Sequence, residues 1–123
     1  MRFDVITLFP ELFEPFLKAG VTRRAYETRQ VDVRLWSPRD FAEGNYRRVD
    51  DRPFGGGPGM VMLVEPLERA LTAAKADRGE AAPAVIHFTP TGRRIDQPLV
   101  QELAAGPGAI LLCGRYEGID ERL

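Results

Sequence analysis

Residues 109–118, Ala-Ile-Leu-Leu-Cys-Gly-Arg-Tyr-Glu-Gly, join an apolar run directly to a polar loop. The run from Ala109 to Cys113 carries no polar position, which predicts a short strand buried on both faces. Gly114 and Gly118 then bracket an aromatic, a guanidinium and a carboxylate. Ligands of open parallel sheets bind outside the carboxyl ends of the strands. This stretch therefore predicts a parallel sheet with a binding loop at its edge.

Short apolar strands alternate with amphipathic helices along the rest of the chain. The predicted strands cover residues 3–8, 31–36, 84–89 and 109–113. The predicted helices begin at Pro10 (with a break at Pro15), Val21, Ser37, Glu65 and Gln97, and residues 119–123 resemble a first helical turn. Residues 43–60 and 75–83 are predicted connections. This order predicts an α/β domain with a mainly parallel sheet and flanking helices.

Length and composition exclude several classes of protein. A chain of 123 residues fits one domain. Its 17 basic and 18 acidic residues exclude a uniformly basic surface of the histone kind, although a local basic patch could still bind nucleic acid. One cysteine and one histidine exclude an internal disulfide and a zinc cluster. No apolar run reaches the about 18 residues that span a membrane, so we expect a reducing, cytoplasmic compartment and no membrane partner.

The connection at residues 43–60 combines arginines with a glycine run. Glycines stand at 55, 56, 57 and 59, and the arginines nearby are Arg47, Arg48 and Arg52. The run lacks the Lys-Ser/Thr of a phosphate-binding P-loop and does not follow a strand, which disfavours a nucleotide-binding enzyme. Two interpretations stay open from composition: a flexible hinge, or contact with an RNA backbone.

Two loops at strand ends hold the other candidate residues. His87 precedes the turn Thr89-Pro90-Thr91-Gly92, and as a lone histidine it is expected at a packed or edge position. In the second loop, Tyr116 can cover a flat ligand, Glu117 can bind a hard metal and Arg115 can face negative charge. The same residues can also form a simple salt-bridge cluster. Cys113 is expected in the core.

Four motifs together resemble one enzyme family. They are Phe-Asp-Val-Ile-Thr-Leu-Phe-Pro at residues 3–10, Asp-Arg-Pro-Phe-Gly-Gly-Gly-Pro-Gly-Met at 51–60, Thr89-Pro90 with Gly92, and Gly-Arg-Tyr-Glu-Gly-Ile-Asp-Glu-Arg at 114–122. In this order they are similar to bacterial tRNA (guanine-N1)-methyltransferases of the SPOUT class. The resemblance extends over essentially the whole chain.

The resemblance implies a fold, a reaction and partners. The fold is an α/β domain whose deep trefoil knot binds S-adenosylmethionine, and Mg²⁺ is associated with the reaction. A methyl group passes to N1 of the guanine immediately 3′ of the anticodon, in a homodimer that shares its sites between subunits. Residues 1–123 then correspond to the N-terminal cofactor domain, truncated before the tRNA-gripping C-terminal domain and before the segment that closes the knot. The knot need therefore not be complete in this chain.

The resemblance also assigns residues. It implies cofactor contacts at Phe88, Thr89, Pro90, Gly114, Tyr116, Glu117 and Gly118. It implies tRNA contacts at Arg47, Arg48, Asp50, Arg52, Gly56, Gly57 and Gly59. Arg115 and Glu117, or Mg²⁺ held by Glu117, would stabilise the developing anion, whereas the general base lies outside these residues. His87 departs from the family, in which a tyrosine is common. The alternative function is a non-catalytic RNA-binding or dimerisation fragment of the same fold.

Overall fold

The sheet that organises the chain is parallel throughout. The structure is a computed structural model and describes residues 1–79 and 83–123. Its strands are β1 Arg2–Ile6, β2 Asp32–Trp36, β3 Asp50–Asp51, β4 Val61–Met62, β5 Val85–His87, β6 Gly108–Leu112 and β7 Gly118–Ile119. The larger sheet has the order β2-β1-β6-β5, and each of its pairs is parallel. The predicted α/β class with a mainly parallel sheet is confirmed.

The helices flank this sheet. They are α1 Glu14–Lys18, α2 Arg23–Glu27, α3 Val64–Arg78 and α4 Gln97–Ala105, with 3-10 turns at Pro10–Leu12 and Pro38–Phe41. The predicted break near Pro15 is confirmed, because a 3-10 turn precedes α1. The Asp96 carboxylate caps α4 by accepting a hydrogen bond from the Leu99 amide at 3.0 Å. Ser37 precedes the second 3-10 turn as predicted, but its side chain makes no capping hydrogen bond.

Two predicted boundaries are wrong. The connection predicted at 75–83 is helical as far as Arg78, since that side chain is fully buried and donates to the Asp4 carboxylate at 2.9 Å. Gly79 then ends α3 with a φ of 70°. Residues 80–82 of the predicted connection lie outside the described residues. The predicted helical turn at 119–123 is also wrong, because Gly118–Ile119 forms β7 beside β4.

The core lies between the larger sheet and α3. Its fully buried side chains include Ile6, Ile110, Met62 and Leu67. The apolar face of the amphipathic helix predicted to begin at Pro10 is not buried against the rest of the described chain. Two of its side chains, Leu12 and Phe16, are 53% and 70% exposed. Within residues 1–79 and 83–123, no helix is both long and apolar enough to cross a membrane.

A second, smaller sheet has the order β3-β4-β7, and the sequence pattern did not predict it. Strand β3 runs antiparallel to β4, and β7 runs parallel to β4. The connection predicted as one loop at 43–60 therefore contains β3, and residues 52–60 form a hairpin loop between β3 and β4. This sheet joins the glycine run to the loop that follows β6.

Candidate functional site

The two segments expected to bind a cofactor lie side by side. Strands β5 and β6 are parallel neighbours, with His87 opposite Leu112, so the loops that leave them emerge at the same edge of the sheet. The Phe88 amide donates to the Leu112 carbonyl at 3.3 Å. A Cβ added at Gly114 would lie 3.7 Å from the Nε2 atom of His87 and 3.5 Å from Ile119. The structure thus places the starts of the two loops, Phe88 and Gly114, at the same edge of the sheet.

A groove opens at the exit of β5. It has a volume of about 930 Å³ and is lined by residues 85–90, 92–95 and 99. Phe88 is half-exposed along this groove, and Arg93 and Arg94 supply positive charge. The Gly92 amide closes the turn by donating to the Thr89 carbonyl at 3.1 Å. His87 is exposed on the last strand of the sheet, as expected for an edge histidine.

Tyr116 connects the loop after β6 to β3. Its backbone has a φ of 64°, a left-handed conformation that is uncommon for a residue with a side chain. Burial and the nearby Asp50 carboxylate raise the pKa of its phenol. The ring itself stays 45% exposed. Tyr116 therefore offers an exposed ring to a ligand, and its hydroxyl lies near Asp50, a residue expected to contact tRNA.

Glu117 is engaged with the glycine run rather than with solvent alone. Its Oε2 atom accepts a hydrogen bond from the Met60 amide at 2.7 Å. Its own amide donates to the Met60 carbonyl at 3.1 Å. A Cβ at Gly59 would collide with the Glu117 carboxylate, so a side chain there would displace Glu117, and the φ of 84° favours glycine as well.

Arg115 is held by two contacts. Its guanidinium lies over the Phe9 ring, 4.8 Å from the centroid, in a cation–π arrangement. Its amide donates to the Met62 sulfur at 3.2 Å. The side chain remains exposed, which leaves its charge available to a ligand.

The basic segment, which we define as Arg47, Arg48 and Arg52, is exposed throughout. Arg48 pairs with Asp51 at 2.6 Å and Arg47 lies 3.7 Å from Asp40. Pairs as exposed as these are weak, so both cations can be recruited by an anion.

The glycine loop, residues 52–60, has an aromatic residue at its tip. All four of its glycines have positive φ values, from 84° to 112°. Phe54 next to them and Tyr46 upstream are essentially fully exposed. Sequence reasoning overlooked both aromatic residues. The available signal was a phenylalanine between Pro53 and three glycines, where no core can form around it.

The donor set does not fit a protein-built magnesium site. In the part of the chain that the structure describes, no group of three or more His, Cys, Asp or Glu side chains converges. The Glu117 carboxylate already accepts a hydrogen bond from Met60. We therefore assign no step to Mg²⁺.

Two further groups are placed by the structure. Cys113 is half-buried rather than part of the core, because it follows the last residue of β6, and burial raises the pKa of its thiol. Hydrogen bonds from Arg122 lower the pKa of Asp120 to about 2. A carboxylate of such low basicity is a poor proton acceptor at neutral pH.

Comparison with known proteins gives consistent matches. The family model described as tRNA (Guanine-1)-methyltransferase TrmD matches residues 1–123. A tRNA (guanine-N(1)-)-methyltransferase of Leptothrix cholodnii is 76% identical over 122 residues, which cover 99% of this chain and 49% of the relative. The protein of the same name from Paracidovorax citrulli is 72% identical over 125 residues, with the same coverage of both chains.

A solved structure shows the same fold. The crystal structure of tRNA (m1G37) methyltransferase from Aquifex aeolicus matches with a TM-score of 0.87 and 36% identity, covering 99% of this chain and 54% of that one. The chain spans about half the length of the curated relatives that it matches. The family model, which matches from the first residue to the last, settles the assignment. The chain belongs to the tRNA (guanine-1)-methyltransferase TrmD family.

Proposed function

We propose that residues 1–123 form the cofactor-binding domain of an S-adenosylmethionine-dependent tRNA methyltransferase. The proposed product is a tRNA methylated at N1 of the guanine immediately 3′ of the anticodon. The observation that carries this proposal is that the loops after β5 and β6 leave the parallel sheet side by side, with the position of a Gly114 Cβ 3.7 Å from the Nε2 atom of His87. Family membership supports the reaction type.

The residues present fit S-adenosylmethionine. The cofactor has a flat adenine ring and a charged amino-acid end, and it supplies an already activated methyl group. Phe88 and Tyr116 offer half-exposed rings, and the backbone of Gly114 leaves an exposed position that no side chain fills. We propose that these groups hold the cofactor and that the arginines lining the groove face its carboxylate.

The guanine must lose its N1 proton before it can accept a methyl group. We propose that Arg115 stabilises the negative charge that builds up on the base. The general base is proposed to lie outside residues 1–123, since Asp120 has a pKa of about 2.

We propose that the basic segment and the glycine loop contact the anticodon stem-loop. The arginines would face phosphates, and Phe54 is placed to stack on an unpaired base. A homodimer that shares its sites, a trefoil knot closed by further sequence, a separate tRNA-gripping domain and a cytoplasmic location complete the proposal. They are supported by the resemblance of the motifs to the family.

Calorimetric titration of the full-length protein with S-adenosylmethionine tests the proposal, with ATP and NAD as controls. Gly114→Ala is the diagnostic variant, because the added Cβ makes only ordinary contacts, the nearest at 3.5 Å. We expect an unchanged melting temperature and cofactor binding that is at least about tenfold weaker, since the methyl group occupies space next to the ligand.

Gly106→Ala is the matched control, since its Cβ would also meet only ordinary contacts, the nearest at 3.6 Å, at the end of α4. It should leave both the melting temperature and the cofactor affinity unchanged. Full cofactor affinity in Gly114→Ala would place the site elsewhere. Binding of ATP or NAD instead would reject the proposed cofactor.

A further inference from the structure

Glu117 and Met60 form a closed pair of hydrogen bonds between two loops that are 57 positions apart in sequence. The Met60 amide donates to the Glu117 carboxylate, and the Glu117 amide donates to the Met60 carbonyl. Met60 is the last residue of the glycine loop, and Glu117 belongs to the loop that follows β6. The pair therefore joins the proposed RNA loop to the proposed cofactor loop through one side-chain and one backbone hydrogen bond.

We propose that Glu117 is a positioning residue: it fixes the base of the glycine loop, so that cofactor binding and RNA binding are energetically coupled through it. This inference rests on the proposed function, because it takes the two loops as the cofactor and RNA sites. It assigns Glu117 a contact with the protein backbone in place of a metal ion.

Both ends of the glycine loop are attached to the loop after β6. At the far end, β4 pairs with β7, with Val61 opposite Gly118. At the near end, β3 pairs with β4, with Asp51 opposite Val61, so this end is attached to β7 through β4. A displacement of residues 116–118 must therefore move both ends of the glycine loop.

The tip of the loop has little to hold it in place. Its internal hydrogen bond runs from the Gly56 amide to the Pro53 carbonyl at 3.1 Å, and Phe54 is fully exposed. Left-handed glycines such as Gly55 and Gly56 leave the backbone many alternative conformations. Because the tip cannot order itself, its orientation depends on how firmly the base is held.

The hydrogen bond at Met60 is of the stronger kind. A backbone amide that donates to a carboxylate gains more than one that donates to a neutral oxygen. Glu117→Gln keeps an acceptor oxygen at the same place but removes the charge, whereas Glu117→Ala removes the acceptor. The two variants therefore separate the effect of the hydrogen bond from the effect of the negative charge. A metal ligand would require the charge.

The first test is amide hydrogen exchange at Met60 in the full-length protein, followed by NMR. In Glu117→Ala the exchange rate of this amide should rise at least about tenfold, and Glu117→Gln should restore most of the protection. Glu121→Ala is the matched control, since Glu121 is an exposed carboxylate of the same segment. Unchanged protection of Met60 in Glu117→Ala would overturn the inference.

The second test measures coupling: the affinity for an anticodon stem-loop RNA with and without S-adenosylmethionine, by fluorescence anisotropy. We expect the cofactor to tighten RNA binding in the wild type, Glu117→Ala to reduce that factor toward one, and Glu117→Gln to retain it. A wild type without coupling, or a Glu117→Ala variant with full coupling, would overturn the inference.

Failure of the proposed function can be distinguished from failure of this inference. A wild type that binds neither ligand refutes the proposed function and the coupling with it, whereas the Met60 exchange rate still decides whether Glu117 fixes the loop base. Loss of coupling in both Glu117→Gln and Glu117→Ala, with Met60 still protected in the former, would show that the charge matters rather than the hydrogen bond. That result also overturns the inference.

Discussion

Replacing Asp4 by asparagine should destabilise the fold more than any exposed charge does. The Asp4 side chain is completely buried at the centre of β1. It accepts two hydrogen bonds from Arg2, at 2.8 and 3.0 Å, one from the Trp36 indole at 2.9 Å and one from Arg78 at 2.9 Å. This one carboxylate therefore joins two strands of the sheet to the end of α3.

The expected magnitude follows from what asparagine leaves behind. It removes the negative charge that faces two guanidinium groups, and it turns one acceptor oxygen into an amide donor in a site where the Arg78 side chain is 0% exposed. Removing one member of a buried ion pair costs about 3–5 kcal/mol. For a urea m-value of about 2 kcal/mol per molar, the midpoint of unfolding should fall by roughly 2 M.

Urea denaturation followed by fluorescence measures this directly. Trp36 is the only tryptophan of the chain and lies beside Asp4, so its emission reports on the affected region. Asp32→Asn is the control, because its pair with Arg34 at 3.2 Å is about half-exposed and contributes less than about 1 kcal/mol. A midpoint shift for Asp4→Asn no larger than that of Asp32→Asn would refute the reasoning.

Three further outcomes are expected. Burial opposes ionisation of Asp4, but hydrogen bonds from Arg2, Trp36 and Arg78 outweigh it and lower its pKa below the ordinary 3.8. Because the unfolded chain takes up this proton at a higher pH than the folded chain, the stability of the wild type should fall below about pH 4 in an acid titration. Asp4→Asn should lack this component of the pH dependence. Gly108→Ala should cost more than about 2 kcal/mol in urea denaturation, because φ is 105° and the Cβ would collide with the backbone of Arg2. Alanine at the three positions of the basic segment should reduce the salt slope of RNA binding by about 1 for each phosphate that the variant no longer neutralises, and an unchanged slope would make these arginines bystanders.

The larger sheet was predictable because its strands are short and apolar. The run from Ala109 to Cys113 predicted β6 within one residue at each end. The end of α3 was placed too early because Lys75 and Asp77 look like a polar connection, although Gly79 after Arg78 is typical of a helix C-terminus. The long-range ion pair between Arg78 and Asp4, which the sequence does not show, holds the last turn against the sheet.

The smaller sheet could not be predicted from the sequence pattern. Its strands have two residues each, and no periodicity exists in two residues. The pair Asp50–Asp51 has a poor intrinsic preference for strands. These strands exist because β4 can pair on both sides, with β3 and with β7.

The sequence could predict at which strand ends the candidate site residues lie, but not which residues they contact. Loops after β5 and β6 have to emerge at the same edge once these strands are parallel neighbours, which the sequence predicts and the sheet shows. The partner of Glu117 depends on how residue 60 returns to the sheet, which spacing along the chain does not encode. Phe54 was overlooked for a related reason, since an exposed aromatic breaks the rule that apolar residues lie inside.

The glycine at position 59 and the carboxylate at position 117 explain each other. Met60 can donate to Glu117 only if the preceding residue leaves room for the carboxylate, and a Cβ at Gly59 would occupy that room. Gly59 also has a φ of 84°, which aims the chain from the loop tip back into β4. The other three glycines have open space around them, so no neighbouring side chain excludes a Cβ there; their positive φ values, from 84° to 112°, are what favours glycine. The glycine run therefore combines two physical roles: positions 55–57 leave the tip adaptable, whereas position 59 allows the base to be held by the loop after β6.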